Sequence, residues 1–184
     1  LVELLIVIAI LAVLAAAVVV VLNPAELLAQ ARDSQRVSDL DTMKNALAIY
    51  ISQASSPSLG TCTAGGRCTF DPTATHGPFA TATCAAVSTT NTVAGAGWIN
   101  VDLSSIAGGS PIPYLPVDPS NTATYFYAYM CANSPTLTYE LDARLESQKQ
   151  RSKMASDGGN KNTCATYIED TCFYEIGTDP ALDL

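Results

Sequence analysis

Leu1-Val2-Glu3-Leu4-Leu5-Ile6-Val7-Ile8-Ala9-Ile10-Leu11 opens a run in which every residue from Leu4 to Leu22 is apolar and Glu3 is the lone charge. The nineteen residues of that run include no glycine, no proline and no hydroxyl side chain. At about 1.5 Å per residue they make a helix long enough to cross a bilayer core of roughly 30 Å. A secretory signal peptide would begin with a basic region and end in small residues before a cleavage site. An ordinary membrane anchor would carry Lys or Arg on its cytoplasmic flank. Here the first basic residue is Arg32. Glu3 can be taken as a first-turn acid that favours the positive end of the helix dipole by a few tenths of a kcal/mol. The other option is a carboxylate whose cost beside an apolar segment is offset by a specific partner.

Beyond the run the chain breaks and restarts. Pro24 lacks an N–H and its ring clashes with the carbonyl of Val20 in a continuous helix. Asn23-Pro24-Ala25-Glu26 reads as an N-cap, a first helical proline and the third position of a capping box. A kinked or unwound stretch is therefore expected over Val20 to Asn23, helped by the β-branched run Val18 to Val21. A smoothly bent continuous helix is the alternative. From there Val37, Leu40, Met43, Leu47 and Tyr50 or Ile51 recur at three- and four-residue intervals, one buried face of an amphipathic helix. The pairs Asp33–Arg36, Arg36–Asp39 and Asp41–Lys44 are assigned to its solvated side. Helix through Gln53 would extend about 80 Å.

Ser52 to Gly60 ends the helix, and the remainder has the size of one small domain. Strands are expected at Trp98–Leu103, Tyr125–Met130, Leu137–Leu141 and Phe173–Ile176. The second and third form a hairpin across Asn133-Ser134-Pro135. Tyr125, Tyr127 and Tyr129 alternate with Phe126, Ala128 and Met130, as in any half-buried strand, so no electron-transfer role is given to them. Ile112–Pro119 is extended loop. Arg144–Met154 is expected to be a short charged helix before a turn at Asp157-Gly158-Gly159-Asn160. The fold class is α+β: a long N-terminal helix, apolar then amphipathic, packed on a small antiparallel sheet with disulfide-stapled loops. The organisation is 1–23 apolar helix, 24–53 amphipathic helix and 54–184 globular head.

Six cysteines, all beyond the apolar run, point to an oxidising compartment. Fifteen connectivities are possible, and short-range pairing favours Cys62–Cys68 and Cys164–Cys172, leaving Cys84–Cys131. No Cys-x-x-Cys pair exists and the single histidine is His76, which argues against zinc.

The opening motif resembles the mature N-terminus of type IV pilins and of the pseudopilins of type II secretion. The resemblance covers about the first thirty residues. It implies that a prepilin peptidase removes a short basic leader, and that the mature chain begins two residues before Leu1 with an N-methylated hydrophobic residue. It implies further that Glu3 attracts the N-terminal ammonium of a neighbouring subunit during assembly. Many members carry Gly and Pro earlier in the apolar segment and lose helical order between them. No Gly lies near Ala12, so Asn23 and Pro24 are the expected break here. Tyr174 to Asp179 also resembles the Tyr-Glu-Ile-Gly-Thr-Asp-like ending of some bacterial pilins. Many pilins close the C-terminal region with one large disulfide loop, and Cys164 to Cys172 is too short for that.

What the resemblance implies is a structural protein: the major subunit of an extracellular type IV pilus-like filament, a fimbrium. Its expected partners are copies of itself in a helical homopolymer, the cytoplasmic membrane before assembly, the prepilin peptidase and the pilus assembly machinery. The alternative is a pseudopilin of a secretion or DNA-uptake machine. A membrane-tethered monomeric binding domain or enzyme is a third option.

Enzymatic function is not expected. His76 lies in a Thr-, Pro- and Ala-rich loop with no nucleophile elbow around it, and there is no phosphate-binding Gly-rich loop. No cofactor or metal is assigned, with calcium left open on Asp157, Asn160 or Asp179. The formal net charge of −8 argues against direct nucleic-acid binding by the subunit body. Thr69 to Thr92 carries nine Ser or Thr residues, read as variable coil or an O-glycosylated loop.

Overall fold

The structure is a computed structural model that describes residues 1–62, 66–71, 77–79, 84–133, 136–164 and 172–184. His76, Ser134, Pro135 and much of the Thr69–Thr92 run lie outside the described residues. Helix α1 runs Val2–Leu22 and helix α2 Pro24–Gln53. The break between them is a single residue. Asn23 sits in the left-handed region (φ 39°, ψ 75°), a conformation asparagine tolerates better than most side chains. Its Oδ1 accepts the Glu26 amide at 3.4 Å, and Pro24 takes the first helical position, where no N–H is needed. The break expected over Val20 to Asn23 is confined to Asn23, and Val20–Leu22 stay helical. A β-branched run costs only tenths of a kcal/mol per residue, too little to melt helical turns.

The sheet has five strands: β1 Arg67–Cys68, β2 Ala86–Val87, β3 Tyr127–Ala132, β4 Thr138–Ala143 and β5 Tyr174–Gly177. Their order is β2-β1-β3-β4-β5. β1 and β2 pair in parallel and the other neighbours antiparallel, so the sheet is mixed rather than antiparallel. Period two along β3 and β4 sorts the side chains as expected. Tyr127, Tyr129, Tyr139, Leu141 and Ala143 pack with Leu40, Met43, Ala46, Leu47 and Tyr50 of α2. Phe126 and Ala128 join Phe79 and Phe173 on the opposite face. Each buried tyrosine hydroxyl donates to a nearby acceptor, as buried polar groups require: Tyr50 to the Ser58 carbonyl (3.2 Å), Tyr127 to Asp39 (2.8 Å), Tyr129 to the Leu59 carbonyl (2.9 Å) and Tyr139 to the Lys44 carbonyl (3.1 Å).

Two expected elements are replaced. Trp98–Leu103 is a mostly buried loop with a single β-bridge from Asp102 to Ala94, not a strand. Trp98 Nε1 donates to the Pro116 carbonyl, and Asp102 accepts the Ser104 amide, turning the chain into a 3₁₀ segment at Leu103–Ser105. Of Arg144–Met154 only Arg151–Met154 is helical. The Asp33 carboxylate takes the amides of Glu146 and Ser147 at 2.8 and 2.7 Å, so those donors are spent on α2.

The charged stripe of α2 is the largest departure. Asp33 and Arg36 are wholly buried, not solvated. Arg36 gives Asp118 a bidentate pair (2.7 and 3.0 Å), pairs with Asp33 at 2.8 Å and Glu146 at 3.3 Å, and lies 4.9 Å from the Tyr125 ring centre. Burial opposes its charge. The hydrogen bonds and charges of Asp118 and Asp33 outweigh that, and its pKa rises above the ordinary arginine value.

The disulfides are Cys62–Cys131, Cys68–Cys84 and Cys164–Cys172. Cys164–Cys172 is as expected, while the Cys62–Cys68 and Cys84–Cys131 pairings are not. Sheet parity explains the exchange. Cys131 faces α2 with Tyr129, where Cys62 packs, whereas Cys68 pairs opposite Ala128 and belongs to the other face with Cys84. Cys62–Cys131 closes a separation of 69 residues, against 8 for Cys164–Cys172. On the chain-entropy account its removal is expected to cost about 4 kcal/mol, against about 2.5 kcal/mol for the shorter loop. Urea unfolding of Cys62→Ala/Cys131→Ala beside Cys164→Ala/Cys172→Ala measures both. Equal losses would exclude loop length as the determinant.

Candidate assembly surface

The residues that make α1 helical also leave it without a face. Leu4, Leu5, Ile6, Val7 and Ile8 are each more than half exposed, and five consecutive positions span more than a full turn. No residue in the window Val2–Val19 is buried against the rest of the chain, and that window is long and apolar enough to cross a membrane. The apolar surface continues at exposed Leu27 and Leu28, and the packed domain begins at buried Ala29. A helix apolar all round is stable only inside something else, either lipid or other helices. Ala12 and Ala15–Ala17 keep parts of the surface shallow, which lets another helix approach closely.

Glu3 lies in the first turn of α1, exposed, and Leu1 at the N-cap provides no side-chain hydrogen bond there. In water or at a lipid interface its carboxylate needs no partner. In a bundle of apolar helices it needs one, because an unpaired charge in a low-dielectric setting costs several kcal/mol. Asn23 and Pro24 form the hinge-like cap between the exposed rod and the domain. The six cysteines are spread over the domain as three staples and form no common centre.

Of the residues left open for calcium, Asp157 and Asp179 belong to no three-carboxylate group of their own among the described residues. Asp157 accepts the Gly159 and Glu175 amides, Asp179 accepts the Asp183 amide, and Asn160 is exposed. The structure instead gathers Glu140 and Asp142 of β4 with Glu175 of β5, all buried. Sequence reasoning passed over these three because alternate polar residues in a strand ordinarily mark its wet face. A signal was available: Glu140-x-Asp142 repeats a carboxylate at strand period, and Glu175 follows within a strand of its own.

No family model, curated protein or solved structure matches this chain.

Proposed function

We propose that the protein is a structural subunit of a type IV pilus-like filament, polymerising through α1 with the disulfide-stapled domain outermost. The observation that carries this is the combination on one uncovered helix of an all-round apolar surface and a single first-turn carboxylate. Before assembly the same helix holds the subunit in the cytoplasmic membrane. On polymerisation, helices of neighbouring copies replace lipid around it. Glu3 then meets the N-terminal ammonium of the adjacent subunit, which sets the axial register. The domain has no catalytic part in this: it supplies a rigid, acidic, crosslinked outer layer. Its acidity keeps polyanions off the subunit body.

Removal of detergent from the purified chain is expected to yield filaments of uniform diameter by electron microscopy, with α1 at the axis and the domains outside. Recovery of the chain only as monomers embedded in vesicles would overturn the proposal and favour a tethered single domain.

A further inference from the structure

β4 and β5 pair so that Asp142 stands opposite Glu175 and Glu140 opposite Gly177. Strand period two sends Tyr139, Leu141 and Ala143 toward α2 and brings Glu140 and Asp142 out on the other face beside Glu175. That face is not open to water. Glu140 is 1% exposed, and Asp142 and Glu175 are 0%. The segment Asp157–Lys161 lies over them so closely that a Cβ at Gly159 would strike the Glu175 carboxylate. One oxygen from each of the three side chains lies within 4.8 Å of the other two. Oxygens that share one cation at about 2.3–2.6 Å lie at most about 5 Å apart, so this spacing already suits a common ion.

The hydrogen bonds are incomplete in a way that points to a missing positive partner. Glu140 Oε2 accepts the Leu184 amide at 3.0 Å and Glu175 Oε2 accepts the Lys161 amide at 2.8 Å. Glu175 Oε1 and both oxygens of the wholly buried Asp142 receive no donor. Among the described residues no salt bridge reaches any of the three. The other charged groups around them give little relief. Asp157 and Asp179 add negative charge, Lys161 Nζ donates to the Phe79 carbonyl at 3.4 Å, and β3 offers only Ala128 and Met130 across from them; the buried Arg144, two residues beyond Asp142, donates to the Cys172 and Thr124 carbonyls and lies over the Phe173 ring.

We propose that Glu140, Asp142 and Glu175 bind one hard divalent cation of calcium's size, which ties β4 to β5 beneath the Asp157–Lys161 segment. An all-oxygen anionic donor set selects calcium, manganese or magnesium over zinc and copper. Three carboxylates hold six oxygens, two of which already accept the Leu184 and Lys161 amides, so part of calcium's usual set of 6–8 ligands has to come from those shared oxygens or from other groups. Magnesium holds its waters and a strict octahedron, which a site closed to solvent does not accommodate. The site is independent of polymerisation through α1, and its test reads the domain alone.

Without a cation the cluster has to hold protons. Burial first, and then the neighbouring carboxylates, push Asp142 well up. Burial raises Glu140 as well, and takes Glu175 to about 8 against the lowering pull of the Lys161 amide. The folded chain then binds more protons than the unfolded one between their respective pKa values. A bound cation takes the place of those protons.

The test uses the full chain in detergent micelles, stripped with EDTA, titrated with CaCl2, MnCl2 and MgCl2 by calorimetry and followed in parallel by thermal unfolding. The expected result is one calcium per chain and a Tm rise of about 5–10 °C at a hundredfold excess over Kd. EDTA should reverse the rise. Asp142→Asn should weaken binding at least about tenfold, a typical loss for a disrupted site, while Asp71→Asn, at an exposed position, keeps it. Glu175→Gln serves in the same way if Asp142→Asn does not fold. Failure of millimolar calcium and manganese to bind or to stabilise the stripped wild-type chain at pH 8 overturns the proposal and leaves a protonated cluster. Wild-type affinity in a folded Asp142→Asn or Glu175→Gln chain overturns it too.

Discussion

A chain carrying Glu3→Ala is expected to insert into membranes and fold its domain normally, and to form no filaments. Insertion depends on the apolar length of α1, and alanine shortens nothing; it also removes the only charge in the helix. Domain folding is untouched because α1 buries no residue in the window Val2–Val19 against the core. Assembly is different. In a bundle of such helices the carboxylate and a neighbouring ammonium compensate each other, and either left alone costs several kcal/mol. Alanine leaves the ammonium unpaired in every subunit, so the concentration needed for polymerisation should rise by at least about two orders of magnitude, the equivalent of ~3 kcal/mol per contact. Sedimentation after detergent removal, with electron microscopy of the pellet, measures this directly. Glu3→Gln separates charge from shape, since it keeps size and hydrogen bonding and should fail nearly as completely. If Glu3→Ala subunits polymerise at the wild-type concentration, apolar packing alone drives assembly and the pairing account is wrong.

The two long helices were legible because their signals are local. An unbroken apolar run, an Asn-Pro restart and a three-four periodicity each act within a turn or two of the residues that carry them. The Tyr125–Met130 alternation exposed both faces of β3, and Phe173–Ile176 located β5 to within a residue. What stayed hidden depends on contacts distant in sequence. Asp33 and Arg36 look like a surface i,i+3 pair, and nothing near them announces Asp118, 82 residues from Arg36, or Glu146, 110 residues from it. β1 and β2 are two residues each, too short for any period. The disulfide exchange follows from which sheet face Cys68 and Cys131 occupy, and spacing along the chain contains no such information. The carboxylates of β4 and β5 obey the strand period faithfully. They mislead only because a later segment, Asp157–Lys161, covers the face that would otherwise be wet.

Arg36→Met is expected to destabilise the domain by about 3–5 kcal/mol, the usual cost of removing one partner from a buried ion-pair network. Methionine fills much of the arginine's volume and favours helix, so packing and propensity are nearly preserved. What is lost is charge compensation. Asp33 and Asp118 have no exposed side-chain surface, and both keep backbone donors: Glu146 and Ser147 to Asp33, Ser120 and Asn121 to Asp118. Their carboxylates therefore stay hydrogen-bonded but face each other's charge without a cation between them. Among the described residues Arg36 is also the only side chain that joins α2 to both the 118–121 loop and the segment at Glu146, so its loss should loosen two loops together. Arg32→Met, by contrast, removes a partly exposed pair with Glu146 and should cost no more than about 1 kcal/mol. Urea unfolding of the two variants beside the wild type makes the comparison. A double change, Arg36→Met with Asp118→Asn, should recover part of the loss, because one of the stranded charges goes with it. A loss below about 1 kcal/mol for Arg36→Met, or no recovery in the double variant, would mean that the backbone donors alone carry these carboxylates and that the guanidinium is incidental to the fold.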